Sequence, residues 1–103
     1  MEFYDKLYIG YRVSDKVEKI KEKLLKNEFM PFIHVITLPV HMGQGMLEIY
    51  PAYILRQESY QSSGLKIVGI AADRGEAYML VQQIAEECMK ATGTVDLKNY
   101  LKF

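Results

Sequence analysis

The sequence predicts an α/β fold, and three observations predict it: strand-like alternation at residues 6–13, a nearly unbroken apolar run at 65–72, and a helical apolar stripe after each of them. Strand, helix, strand, crossover, strand, helix is the element order of a sheet covered on both faces, and crossovers of that kind favour parallel pairing. The expectation is a small three-layer sandwich with a mostly parallel sheet of three or four strands in the order 2-1-3, an α+β ferredoxin-like arrangement being the alternative. A chain of 103 residues suits one domain over 1–103.

Leu7, Ile9, Tyr11 and Val13 alternate with Lys6, Tyr8, Gly10 and Arg12, which makes residues 6–13 the first strand. Ser14 is placed to cap a helix with its hydroxyl, Asp15 adds negative charge at the positive helix end, and Val17, Ile20 and Leu24 recur on one face. The first helix is thus expected over 15–26. Its other face carries Glu18, Lys19, Lys21, Glu22, Lys23 and Lys26, which reads as a solvated surface with a favourably ordered Glu22–Lys26 pair. Asn27 suits the left-handed turn that closes a helix, and Pro31 blocks its extension.

Residues 32–40 read as a second strand, apolar on both faces, followed by a loop at 41–45 with two glycines. Alternation and helical spacing compete at 46–60. Pro51 argues against a central strand there, so a short helix over 51–58 is expected. After a polar turn at 61–64, residues 65–72 form the most buried strand. Asp73 and Glu76 have the spacing of a capping box, Ala77, Leu80, Val81, Ile84, Cys88 and Ala91 share one helical face, and Gly93 stands where a closing glycine belongs. This predicts a helix over 74–92. The last ten residues are apolar enough to pack as a turn of helix or an edge strand.

Composition narrows function mainly by exclusion. Thirteen basic and thirteen acidic side chains cancel, which removes the long-range field that draws a protein to nucleic acid or anionic lipid and mildly favours self-association. One cysteine, Cys88, cannot form a disulfide framework or a multi-cysteine zinc site within the chain and suits a reducing compartment. With no signal-peptide pattern and no spanning apolar run, the expected location is the cytoplasm. No phosphate-binding GxxxxGK[ST] motif occurs, and Gly43-Gln44-Gly45 lacks the third glycine and the strand-to-helix setting of a dinucleotide fingerprint, so neither cofactor nor metal is expected. His34 and His41 are an odd number of residues apart and would project oppositely from one strand, which argues against a shared catalytic or metal role. Cys88 lies on an apolar helical face, where a thiol is usually packing.

Two candidate surfaces remain. Parallel strands send their trailing loops to one edge of the sheet, where a cleft can open. Ser14, His41, Gly43, Gly45, Asp73, Arg74 and Gly75 would meet there, beside helix starts whose amide groups attract anions, although nearby carboxylates already supply negative charge. Eight tyrosines are more than so small a sheet can cover, and Tyr50, Tyr53 and Tyr60 are the candidates for a self-association surface. The leading expectation is a non-enzymatic protein-association module, homodimeric in form. The alternative is a small anionic ligand, bound or transformed in the strand-end cleft.

Overall fold

The computed structural model describes residues 1–39, 47–61 and 64–101. It is a mixed α/β fold in which four strands, β1 (Glu2–Ile9), β2 (His34–Thr37), β3 (Glu48–Pro51) and β4 (Lys66–Ala71), form one sheet in the order β1-β4-β2-β3. The expected parallel pairing holds for β1 and β4, which align Phe3 with Ile67 and Ile9 with Ile70. Both other pairs, β4 with β2 and β2 with β3, are antiparallel.

The expected order 2-1-3 is therefore corrected, and the ferredoxin-like alternative is not the arrangement seen. Five of the six residues of β4 are fully buried, and a strand so apolar takes the position with a neighbour on each side rather than an edge. The direction of β2 is set by what precedes it. The first helix, α1 (Val17–Leu25), closes at Asn27, whose φ of 60° is left-handed, and residues 28–33 carry the chain back to the edge where β1 and β4 end. His34 consequently enters the sheet opposite Ala71, the last residue of β4, and β2 runs the other way.

Helices cover both faces, as expected. One face of the sheet packs Phe3, Ile67, Ile70 and Val35 against Ile20 and Leu24 of α1 and Leu55 of a 3-10 helix, Ala52–Arg56. The other packs Ile36 and Val68 against Ala77, Leu80, Ile84 and Cys88 of α3 (Arg74–Thr92), with Leu97 and Leu101 at the short C-terminal helix α4 (Leu97–Tyr100). Ile67 and Ile70 reach the same face although their positions differ by three, so β4 carries an irregularity at Val68-Gly69, where both neighbours also shift register. A Cβ on Gly69 would lie 3.0 Å from the Ile36 side chain and 3.2 Å from the Tyr8 carbonyl.

Local boundaries moved as well, and the second strand, expected over 32–40, is confined to β2. The first strand starts at Glu2 and stops at Ile9, because Gly10 turns the chain and Tyr11–Val13 is a 3-10 turn. Ser14 does not cap α1: its hydroxyl donates to the Tyr11 carbonyl, 3.0 Å away, and Lys16 holds the cap position without a side-chain bond. The expected helix at 51–58 is the 3-10 helix followed by α2 (Glu58–Gln61), and Pro51 does lie in a strand, as the last residue of the edge strand β3, where a missing N–H is tolerated. No described helix is long and apolar enough to cross a membrane.

Candidate functional site

The edge where β1 and β4 end has the topology that opens a cleft. The two strands are parallel neighbours, and their chains leave toward helices on opposite faces. What lines that position is the protein's own carboxylate. Glu76, in the first turn of α3, is 7% exposed and accepts the Ala72 N–H at 2.7 Å and the Arg12 N–H at 3.4 Å. Asp73 caps the same helix by accepting the Glu76 N–H at 2.8 Å, and its other oxygen takes the Arg12 guanidinium at 2.5 Å. The Glu76 N–H, and then the Arg12 side chain, hold the Asp73 carboxyl below its ordinary range, so it stays ionised. Three of the amide groups at this edge, those of Arg12, Ala72 and Glu76, are already paired with these two acids.

The structure brings the predicted residues together only in part. Ser14, Asp73, Arg74 and Gly75 lie on the two segments that meet at this edge, linked by the Arg12–Asp73 pair, and Ser14, Arg74 and Gly75 are exposed. His41, Gly43 and Gly45 lie outside the described residues. Because β2 runs antiparallel, its carboxyl end at Thr37 faces Ile67, near the start of β4, at the opposite edge from Asp73. The β2 residue at the Asp73 edge is His34, whose charge contributes to lowering the Asp73 carboxyl.

Among the predicted interface tyrosines, Tyr50 and Tyr60 are half-buried and pack edge to face, ring centres 5.2 Å apart, while the Tyr50 hydroxyl donates to Glu48 at 2.9 Å. Both pack against the core cluster on the α1 side of the sheet. Tyr53 alone of the three is exposed, its ring 6.1 Å from that of Phe29. Cys88 is buried against the second core, with its sulfur 3.3 Å from the Thr94 carbonyl. The described residues contain no group of three His, Cys, Asp or Glu side chains able to hold a metal ion.

A different feature stands open. The return segment at 28–33 lies beside α1, and between them runs a groove of about 380 Å³. Its floor is apolar, from Val13, Ile20, Met30 and Ile33. Lys16, Lys19 and Lys23 line one wall, and Phe29, Pro31 and Phe32 line the other. The three lysines follow spacings of three and four residues, which put them on one flank of α1 beside its buried face. The ion pairs among the described residues include Arg12–Asp73, Lys21–Glu18 and Lys26–Glu22, and none of the groove lysines has a carboxylate partner there. Phe29 is 58% and Phe32 79% exposed, and Arg56 lies 5.6 Å from the centre of the Phe29 ring.

Sequence reasoning passed over this groove by treating the charges of the first helix as a solvated face. The signal is in the spacing of Lys16, Lys19 and Lys23, and in the apolar residues Phe29 and Met30, which precede the strand expected over 32–40. No protein-family model matches the chain, and comparison with curated proteins and with solved structures yields no significant match.

Proposed function

We propose that the protein is a binding module that uses the groove between α1 and the 28–33 segment to hold a ligand carrying negative charge beside apolar surface. One observation carries the reading: three lysines without carboxylate partners among the described residues stand over an apolar floor, opposite two phenylalanines that leave most of their rings in water. Apolar contact supplies the favourable burial, and the ammonium groups select and orient an anion at its edge. The strand-end cleft around Ser14, Arg74 and Gly75 has less support as an anion site, since Glu76 and Asp73 place two acidic side chains there and take three of its amide donors. The lone buried Cys88 favours a reducing, cytoplasmic setting.

Anilinonaphthalene sulfonate is a suitable probe because it joins an anionic group to aromatic rings. Its fluorescence should rise with the folded protein, and amide chemical shifts should move along α1 and residues 29–33. The Lys19→Glu/Lys23→Glu variant should bind roughly tenfold more weakly, which corresponds to about 1.4 kcal/mol. Shifts confined to another surface, or unchanged binding by that variant, would refute the reading.

The exposed rings of Phe29, Phe32 and Tyr53 favour a second reading, self-association as a homodimer, which zero net charge does not oppose. Sedimentation velocity over a broad concentration range tests it. A dimer weakened by Phe32→Ala is the expected result, and a monomer throughout would end this reading.

A further inference from the structure

We infer that the occupant of the groove is an acidic amphipathic helix of a partner protein, an inference that rests on the groove's being a binding site at all. Charge complementarity selects an acidic partner: Lys16, Lys19 and Lys23 stand on one wall with no carboxylate paired to them among the described residues. The shape favours a segment of chain over a small molecule. Phe29 and Phe32 are 58% and 79% exposed, so apolar rings remain to be covered beyond the groove floor, which a segment of chain lying over them can do.

The spacing of the lysines favours a helix over an extended strand. From Lys16 to Lys19 to Lys23 the backbone advances by three and then four residues, about 4.5 Å and then 6 Å along the α1 axis. A helix laid antiparallel to α1 with acidic residues at positions i, i+4 and i+7 repeats the same two intervals in reverse, so that each carboxylate meets one ammonium group. An extended chain presents same-side residues every 6.7 Å or so and falls out of step over that length. Apolar residues on the neighbouring flank of the docked helix would then lie over Met30 and Ile33 and against the rings of Phe29 and Phe32, as in other helix-in-groove complexes.

Three labelled synthetic peptides of one length test this on the full chain. The first is helix-forming, with Glu at i, i+4 and i+7 and Leu on the adjacent flank; the second has the same residues in scrambled order; the third carries a central proline. Fluorescence anisotropy should show the first binding at least tenfold more tightly than the others, an order set by about 1.4 kcal/mol. Its affinity should fall as salt is raised and fall again with Phe32→Ala. Lys19→Glu/Lys23→Glu should abolish binding of the acidic peptide and gain binding of a Lys-substituted counterpart, and circular dichroism of the variant alone would verify that it remains folded. Equal binding of ordered and scrambled peptides, or failure of the charge exchange, would overturn the helix assignment. If no peptide binds while the aromatic sulfonate still occupies the groove, the partner assignment is wrong and the groove reading survives. If neither binds there, both fall together.

Discussion

The contact between Gly10 and Glu76 joins the two segments that meet at the carboxyl edge of the sheet. Gly10 has φ −63° and ψ 137°, which any residue can adopt, so it is glycine for space: a Cβ there would come within 1.9 Å of the Glu76 carboxylate. Gly10→Ala should therefore destabilise the fold by about 1–3 kcal/mol through overpacking. Glu76→Ala should cost about 1–3 kcal/mol because it leaves the Ala72 N–H without its acceptor. In the double variant the clash has no partner, so the combined loss in urea denaturation should fall short of the sum of the single losses by about 1 kcal/mol or more. Additive losses would show that the two residues do not share the space. A second pair, Tyr8 and Glu87, links β1 to α3 through a 2.7 Å hydrogen bond. Burial, and then that bond, raise the Tyr8 hydroxyl above its ordinary range, and burial followed by Glu48 does the same for Tyr50. A raised acid favours the protonated native state, so this stabilisation is complete below a phenol's unfolded pKa of about 10 and is lost as pH climbs through the raised value. Glu87, held low by Gln83 and then Tyr8, and Asp73 work in the opposite sense. Their stabilisation is present above the usual carboxylate pKa of about 4 and disappears as pH falls through the lowered values. Thermal unfolding measured against pH should show a plateau between these limits, and Tyr8→Phe should soften its alkaline fall.

At the scale of elements, α3 has a defined stop at each end. Asp73 accepts the Glu76 N–H at its start, while Gly93 closes it with φ 76° and donates its N–H to the Met89 carbonyl at 2.8 Å. A Cβ at Gly93 would meet nothing within 4 Å, so Gly93→Ala isolates the backbone term. The left-handed conformation should cost about 1–2 kcal/mol for alanine, which for a domain of this size lowers Tm by roughly 4–8 °C per kcal/mol. An unchanged Tm by circular dichroism would mean that this turn relaxes freely. These stops explain why the helix was legible from sequence at 74–92: caps are local chemistry written in adjacent residues. The first strand was less legible, since alternation continues through Tyr11 and Val13 after the backbone has turned at Gly10 and formed the 3-10 turn. Ser14 misled for a related reason, because its hydroxyl can satisfy either a following helix or the preceding turn, and here it takes the Tyr11 carbonyl. The groove was hidden because lysines on a solvated helix and lysines lining a groove have the same sequence pattern; what separates them is the return path of residues 28–33, fixed by packing far along the chain.

Across the whole molecule, β1, β2 and β4 could be located from sequence, but the edge strand β3 and the pairing of the strands could not. Pairing depends on which partners best bury β4, a contest among distant segments, and once residues 28–33 reversed β2 the sheet became mixed. The resulting order carries a consequence for stability. In the expected order 2-1-3 the first strand would be central and its amides the last to exchange with solvent. In the observed order β4 has a hydrogen-bonded neighbour on each side and an apolar cluster on each face, whereas β1 and β3 are edges and β1 jumps register against β4 between Phe3 and Tyr8. Strands held on both sides open only with the global transition, while edges also exchange through local opening. Native-state hydrogen exchange should therefore find the slowest sheet amides at Ile67, Val68 and Ile70, close to the free energy of complete unfolding, with β2 next and the amides of β1 and β3 faster. Protection highest along Glu2–Ile9 would place β1 inside the sheet and contradict this order; it would also remove the reason for β2 to run backwards, and with it the return segment that forms one wall of the groove.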